Sequence, residues 1–453
     1  MSEKNKFLVV TVLLFSFLIT PQAQSQATNG RRFSLQDAVR LAMKQNPDLK
    51  AARLEVEKSD ARVREAWGNA LPSVDISGTY TRTLKPPIFF ASFNDQAVEI
   101  EMGFPHALNM ALTGKQVLFN AAVIAGVGAA HVYSEMARDL YESKQLETVT
   151  KVRKAYYTAL LAKEVINMMH SSLQNAEDNL KNILLMRKQG IVSEYDELRA
   201  SVQVDNLRPE VIRSENNYAL SLDALCSAIG MELDENFEVA DSLALEAIDD
   251  SLVARAEEMA MGSNPNLSAM NRQIDLNSAI TTAERSNYLP TIAAFGQYQY
   301  QAAKTDINFS ASDLIPSTQV GITVSMNIFQ GSQTRSRVEQ AQLEQEKSVE
   351  QKVSLERTLR TGVHSVVGNI RQARKRVQAQ ERTVESAEQG YKIVTARFLA
   401  NAATQLEVND AQLALTQAKV NRVQAVYDYL TAAADLDQLI GRLPSCAVET
   451  NND

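Results

Sequence analysis

The residue types that most often carry out chemistry are few and scattered in this sequence. The four histidines stand far apart, with no carboxylate or cysteine at metal-ligand spacing: His106, His131, His170 and His364. The sequence also contains neither a nucleophile elbow nor a phosphate-binding loop. It therefore predicts no enzymatic activity, no metal site and no cofactor.

Charged residues beside two predicted helix turns form a second group. The turns are expected at Gly190 and Asn401, and the charged residues that follow them are Asp196 and Arg199, then Glu407 and Asp410. Several copies of an acid that face one lumen would attract cations. The alternative is that these charges are ordinary solvated helix surface, which is the common role of charged residues at helix turns.

The first 27 residues have the pattern of an export signal. Two lysines precede an apolar run, Phe7 to Leu14, whose continuation is still shorter than the roughly 20 residues of a membrane helix. Small residues follow, with Ser25 and Ala27 at the two positions that a signal peptidase prefers. We expect cleavage after Ala27 and export from the cytoplasm.

Net charge and cysteine content exclude further classes of protein. The formal net charge is -8 at pH 7, and it becomes -9 without the signal, which contributes a net +1. An acidic surface argues against nucleic acid as a partner. Only two cysteines occur, Cys226 and Cys446, so a disulfide scaffold is excluded. One bridge and two separate thiols are both compatible with the sequence.

An internal duplication organises the chain. Asn46-Pro47-Asp48-Leu49 recurs 218 residues later as Asn264-Pro265-Asn266-Leu267, and Leu71-Pro72 recurs at the same separation. Farther on the separation contracts to 211, where Ile229-Gly230 meets Ile440-Gly441. The first copy therefore carries a longer loop between residues 72 and 190. We assign the first repeat to residues 28–230 and the second repeat to residues 251–441. A linker at 231–250 joins them, and a tail follows at 442–453.

Each repeat contains two segments of alternating polarity, which is the pattern of a β-strand. The strands are expected at about 72–84, 109–119, 290–301 and 318–329. Strands of this length cross an outer membrane at a tilt, and no apolar run after the signal is long enough for a membrane helix. Three tyrosines on the apolar strand faces are expected in an aromatic girdle, although contact with a neighbouring subunit predicts the same pattern: Tyr80, Tyr298 and Tyr300.

Long polar helices follow each pair of strands. They are expected at 120–187 and 332–398, with return helices at 193–229 and 404–440. Their apolar stripe is thin and rich in alanine, so it cannot form a globular core. At about 1.5 Å per residue, each long helix would be on the order of 100 Å long. A shorter helix that begins at Pro47 would match this length if it stacked on the end of a return helix.

The four strands leave two unpaired edges, which lipid does not tolerate because each unsatisfied backbone group costs several kcal/mol there. Two chains would give eight strands and a filled barrel, whereas three give twelve strands and a water-filled lumen. The predicted fold class is mixed: a membrane β-barrel, twelve-stranded as a trimer, plus a long α-helical barrel. It is built from duplicated half-repeats with two transmembrane strands each. The competing hypothesis is a periplasmic coiled-coil adaptor or scaffold, which does not explain the strands.

This order of segments resembles the TolC-type outer membrane efflux protein family. The resemblance spans nearly all of the mature chain and includes the Asn-Pro-x-Leu openings, the Leu-Pro strand entries, residues 327–331 before the second long helix and the return segment 406–411. It implies a homotrimer in outer membrane lipid with a helical barrel in the periplasm. It also implies a passive duct of an efflux or type I secretion system, opened by a periplasmic adaptor (membrane fusion protein) and an inner-membrane transporter. It does not identify the cargo or the pump class.

The resemblance bears on the periplasmic tip as well. In the family, acids at the positions of Glu407 and Asp410 line the constriction, while a tyrosine and an arginine hold the tip closed. The positions that match this tyrosine and arginine are Phe398 and Ala403 here. The resemblance therefore predicts the acidic constriction but not how the closed tip is locked.

Two positions depart from regular or family structure. Ser332 stands where relatives commonly have a glycine, at the corner before the second long helix. Pro209 lies inside the first return helix, where the missing backbone hydrogen bond predicts a bend.

Overall fold

The computed structural model describes residues 31–93, 96–101, 103–232, 237–245, 247–400 and 402–444. The predicted signal, Cys446 and most of the tail lie outside these residues. The helices in chain order are α1 (Leu35–Gln45), α2 (Pro47–Gly68), α3 (Ala121–Lys188), α4 (Glu194–Ile229), α5 (Asp250–Ala254), α6 (Ala256–Ser263), α7 (Pro265–Ser286), α8 (Gln333–Leu399) and α9 (Gln405–Leu439). The strands are β1 (Arg31–Phe33), β2 (Ser73–Arg82), β3 (Ile88–Phe93), β4 (Gln96–Glu101), β5 (His106–Phe119), β6 (Phe237–Val239), β7 (Thr291–Lys304) and β8 (Ile315–Ser325).

Two strands from each repeat form one antiparallel sheet in the order β2-β5-β7-β8. Residues directly opposite each other point to the same face, so the register decides which side chains share a face. One row across all four strands, Asp75-Thr113-Gln297-Gln319, is entirely polar. The large side chains of the other face are Val74, Ile76, Tyr80, Leu108, Met110, Leu112, Tyr298, Tyr300, Val320, Ile322 and Val324. The sheet therefore has one continuous apolar face and one polar face.

The strand limits differ from the expected ones at both ends of the sheet. β5 begins at His106 rather than 109 and β7 extends to Lys304, because this histidine pairs with Arg82 on one side and with Lys304 on the other. β8 ends at Ser325 rather than 329, since its last partner, Thr291, is the first residue of β7. The ladder has no partner residue beyond that point.

The longer loop of the first repeat contains a hairpin that sequence alone did not indicate. β3 and β4 pair antiparallel over 88–93 and 96–101. Ile88, Phe89 and Phe90 are consecutive apolar residues, so a search for alternating polarity does not detect the first strand. A second small pairing, β1 with β6, is parallel and joins the start of the first repeat to the linker.

The helices pack as two long hairpins, α3 with α4 and α8 with α9. α3 has 68 residues and α8 has 67, and the shorter helices α2 and α7 lie along them. α3 also contacts α7 and α9, which joins the two repeats. No helix among the described residues is both long and apolar enough to cross a membrane.

The repeated Asn-Pro and Ile-Gly motifs join short helices to the ends of return helices. Asn46 caps α2 through its side-chain oxygen and donates from Nδ2 to the carbonyl of Ala228, at 2.9 Å. Asn264 caps α7 in the same way and donates to the carbonyl of Leu439, also at 2.9 Å. α2 therefore begins where α4 ends, and α7 begins where α9 ends.

The main core surrounds these junctions, midway along α3. Its largest fully buried side chains include Tyr156, Phe237, Leu225 and Leu436. The hydroxyl of Tyr156 lies 2.9 Å from the carbonyl of Phe33 and 2.8 Å from the carboxylate of Asp241. Burial raises the pKa of this tyrosine. The hydroxyl therefore stays protonated and holds β1 and the linker against α3.

Two local departures from regular structure were singled out in the sequence. Ser332 adopts a left-handed backbone with φ 65°, directly after Gly331 at φ 57°, so the corner keeps the conformation that a glycine would favour. α4 continues through Pro209 without a break in secondary structure. The loss of one hydrogen bond is therefore tolerated within this 36-residue helix.

Replacement of Gly230 by alanine is expected to lower the free energy of unfolding by more than about 2 kcal/mol. The left-handed backbone at φ +86° costs a non-glycine residue about 1–2 kcal/mol. The added Cβ would also lie 2.6 Å from Cδ of Pro47. Gly190→Ala is the matched control, because its φ is +72° with nothing within 4 Å of the new Cβ. Equal losses for the two variants in chemical denaturation would contradict a close-packed junction.

Candidate functional site

The ends of the two long hairpins meet in a small apolar cluster, which we call the tip cluster. It contains Ile183, Ala200, Phe398 and Val408, which come from α3, α4, α8 and α9 and are all buried. Ala403 packs against it from the second turn. The two turns therefore lie side by side, and the tip cluster holds them together.

The first turn is stabilised by a capping box. Ser193 Oγ donates to the carboxylate of Asp196 at 2.7 Å and accepts from its backbone N–H at 3.3 Å. Arg187, at the end of α3, forms ion pairs with Glu197 and Glu194 across the turn. The hydrogen bond with Glu197 raises the pKa of Arg187. Asp196 thus has a local structural role at the start of α4.

The second turn repeats this capping box with other residue types. Thr404 Oγ1 donates to Glu407 at 3.1 Å and accepts from its backbone N–H at 3.3 Å. Arg397 donates to the carbonyl of Ala402 at 2.9 Å. Asp196 and Glu407 therefore occupy equivalent positions in the two repeats, and each carboxylate completes the capping box by accepting from the N–H of the residue that caps its helix.

The two turns differ in what joins their helices. Residues 187 and 398 are equivalent at the 211-residue separation, and so are residues 197 and 408. The first repeat has the ion pair of Arg187 with Glu197 at these positions, whereas the second has Phe398 and Val408 in the tip cluster. Phe398 is thus a packing residue, which accounts for a phenylalanine at this position.

The other two candidate residues are less constrained. The guanidinium of Arg199 lies 5.9 Å from the ring centroid of Tyr195, at the distance of a cation–π contact. Asp410 is exposed and has no hydrogen bond or ion pair with any described residue. All four candidate residues lie near the turns, and only Asp410 is left without a local partner among them.

The three predicted girdle tyrosines lie on the apolar sheet face. Tyr80 and Tyr300 lie toward the end far from the helices, and Tyr298 lies in the middle row, where it pairs with Leu112 and Thr318. Tyr80 Oη is 2.6 Å from Nδ1 of His106. Tyr298 donates to Tyr300 at 2.9 Å, and these two rings meet edge to face. Phe309, in the loop after β7, meets the ring of Tyr80 edge to face at 6.4 Å. Their aromatic character and exposure fit a membrane edge.

A second set of aromatic residues lies at the helix end of the sheet. Trp67, Tyr288 and Phe329 are 53%, 48% and 84% exposed. Trp67 lies in the last turn of α2 and Tyr288 lies between α7 and β7, so no alternating pattern includes them, whereas Phe329 belongs to the strand expected at 318–329 but lies beyond the end of β8. For Trp67 and Tyr288, a large aromatic residue within four positions of a Leu-Pro entry was the available signal.

A cleft and the titratable side chains away from the sheet and the tip are the further candidate sites. A cleft between α3, α9 and the linker is lined by Arg153, Asp249 and Arg442, and the ion pair of Arg153 with Asp437, at 2.6 Å, lies in its wall. Within the described ranges, no group of three or more His, Cys, Asp or Glu side chains is placed to hold a metal ion. The sheet and the tip are therefore the two features from which we infer the function.

Comparisons with known proteins agree with the duplicated architecture. The family profile described as outer membrane efflux protein matches residues 38–231 and 258–442, one segment in each repeat. Outer membrane protein TolC of Salmonella enteritidis is 22% identical over 441 residues, which cover 95% of this chain and 86% of that protein. Cobalt-zinc-cadmium resistance protein CzcC of Cupriavidus metallidurans is 22% identical over 412 residues and 90% of each chain.

Solved structures show the same fold. The outer membrane protein VceC of Vibrio cholerae superposes with a TM-score of 0.74 at 16% identity, over 90% of this chain and 96% of that one. The CmeC outer membrane channel of Campylobacter jejuni also has a TM-score of 0.74, at 15% identity, over 92% of this chain and 88% of that one. At this level of identity, the likeness is one of fold.

Truncation of Phe398 to alanine is expected to loosen the tip. The side chain is 6% exposed, and removal of a buried phenylalanine costs about 3–5 kcal/mol. Amides near both turns should exchange with deuterium faster, while those in the main core keep their protection. Leu399→Ala is the control. Leu399 follows Phe398 in the sequence but its side chain is 60% exposed, so its truncation should leave exchange unchanged. If both variants exchanged alike, the tip cluster would not hold the turns.

Proposed function

Because the chain belongs to the outer membrane efflux protein family, we propose that it is the outer-membrane duct of a tripartite efflux or type I secretion system. The observation that carries the proposal is the four-stranded sheet. One of its faces is continuously apolar and the other polar, and in the described residues no strand pairs with the outer edge of β2 or β8. Such a sheet suits a wall with lipid on one side and water on the other.

Three copies would close this wall. Twelve strands give a barrel with a water-filled lumen, whereas eight give a barrel that side chains fill. β2 and β8 are the strands that would pair between subunits, because both are exposed along their length and lie at opposite edges. The apolar face would then contact outer membrane lipid and the polar face would line the lumen.

The helices would extend this duct into the periplasm. They leave the sheet from one end only, and both turns lie at the far end of the long helices. The tip is thus the part of the chain placed to meet a periplasmic adaptor and an inner-membrane transporter. Exposed apolar residues there, such as Tyr195 and Leu198 at 66% and 59%, offer a surface for such contacts.

The competing hypothesis of a periplasmic adaptor or scaffold is not favoured. It accounts for the long helices but not for a sheet whose apolar face is exposed, with Ile76 86% and Val320 82% accessible. Relatives include a metal resistance protein and an alkaline protease secretion protein. The cargo of this chain, whether drug, metal or protein, would therefore be chosen by the pump rather than by the duct.

The acids near the turns are proposed to line the constriction of the duct. Asp410 supports this role because it is exposed without a local partner, and Glu407 lies three residues before it, on the neighbouring turn of the same helix face. Asp196 and Arg199 would contribute from the first turn. Three copies of Glu407 and Asp410 would place up to six negative charges around one opening.

The purified chain is expected to be a trimer in detergent and to conduct ions in planar bilayers. Chemical cross-linking should stop at three copies, and conductance should appear in discrete steps of one size. Heat-denatured protein is the control for leakage of the bilayer itself. A monodisperse monomer with full strand content would contradict both the closed barrel and the duct.

Neutralisation of Glu407 and Asp410, as Glu407→Gln with Asp410→Asn, is expected to reduce cation preference in bilayers. Glutamine at this position still accepts the capping hydrogen bond, so trimer stability should be unchanged. Glu346→Gln with Glu350→Gln removes the same charge from exposed positions farther along α8. Identical reversal potentials in a salt gradient for the two double variants would show that the acids near the turn are ordinary helix surface.

A further inference from the structure

Basic side chains lie at the end of the apolar sheet face that is far from the helices. Arg82 pairs with His106, and His106 pairs with Lys304, so the three residues stand side by side on three adjacent strands. Paired residues share a face, and this is the face of Tyr80 and Tyr300. With strands about 4.8 Å apart, the row is about 10 Å wide. We call these three residues the basic row.

The opposite end of the same face has no counterpart. There Ile292 pairs with Val324, and Ala294 pairs with Ile322 on one side and with the uncharged Gln116 on the other. Val324 and Ile322 are exposed, at 65% and 69%, and no charged side chain of the described strands lies among them. Positive charge on this face is thus confined to the end away from the periplasmic helices.

The members of the basic row differ in what they already bind. Lys304 donates to Asp313 at 2.9 Å and to the carbonyl of Asn308 at 3.0 Å, which orders the loop that places Phe309 against Tyr80. Hydrogen bonds from Ser310 and Lys304 lower the pKa of Asp313 to about 2, so this carboxylate remains ionised and neutralises the lysine. Lys304 is therefore a structural member of the row.

Arg82 and His106 keep donors for another group. Arg82 is exposed, and no hydrogen bond or ion pair joins its guanidinium to any residue whose side chain the structure describes. In the tautomer in which Tyr80 donates to Nδ1, the Nε2–H of His106 is a donor on the same side of the sheet. A planar guanidinium beside an imidazole N–H suits the oxygens of a phosphoryl group.

We propose that Arg82 and His106 of the basic row bind the phosphoryl headgroup of a lipid in the outer leaflet, with the aromatic residues below them against the lipid body. This inference rests on the proposed function, because it needs the sheet to cross the outer membrane. Tyr80, Phe309 and Tyr300 supply the amphipathic surface that favours the boundary between headgroup and acyl chain. Charge confined to one end of the face then matches a membrane whose anionic, phosphorylated lipid lies in one leaflet.

The test uses the full chain reconstituted in phosphatidylcholine vesicles with increasing amounts of diphosphoryl lipid A. The measurement is the lipid A retained per protomer after mild detergent extraction. Arg82→Gln with His106→Gln is expected to raise the half-saturating lipid A content about tenfold, as expected for the loss of charge-assisted hydrogen bonds. Arg82→Lys should retain most of the binding, which shows that the sheet is intact.

Lys115→Gln is the matched control, because Lys115 is an exposed lysine of the same sheet on the polar face. It should shift binding less than about twofold, and dephosphorylated lipid A should not distinguish the variants. Equal loss in Lys115→Gln, or displacement of the lipid by millimolar inorganic phosphate, would overturn the assignment. Protein that inserts into phosphatidylcholine but shows no lipid A preference refutes this inference alone, whereas failure to insert refutes the duct itself.

Discussion

The unpaired edges of the four-stranded sheet are the constraint on which the rest of the molecule depends. Backbone N–H and C=O groups in lipid need partners, because each unsatisfied group costs several kcal/mol. Within the described chain, β2 and β8 leave their outer edges open while the register makes one face apolar from edge to edge. In the proposed trimer, the other copies supply the missing partners, and the long helices follow the same circle.

In the proposed duct, the helix junctions let each repeat contribute helices of matched length to the wall. Asn46 and Asn264 each hold the start of a short helix against the last carbonyls of a return helix. Gly230 and Gly441 leave no room for a side chain at the same joints, and both have left-handed backbones. Each repeat thereby sets two stacked helices beside one continuous helix.

At the tip, the two repeats keep the same turn structure but join their helices through different contacts. Both turns keep a capping box, since each helix has to begin at a defined residue. Across the turn, however, one repeat has the ion pair of Arg187 with Glu197, and the other has buried Phe398 and Val408. An ion pair exposed to water contributes little to stability, whereas a buried aromatic contributes more. The second turn is thus the better packed of the two, and the first presents more charge.

The sequence by itself determined the duplication, the long helices, the alternating strands and the family, because these follow from local periodicity and from motifs at fixed spacing. It did not reveal the β3–β4 hairpin, whose first strand is a continuous apolar run, nor the aromatic residues outside the strands, such as Trp67. Only the tertiary structure decided that Asp196 and Glu407 complete the capping boxes of their helices, that Phe398 is buried, and that Arg82, His106 and Lys304 stand in one row. Those facts depend on register and on contacts between residues far apart in the chain, and neither is encoded in the polarity of any one segment.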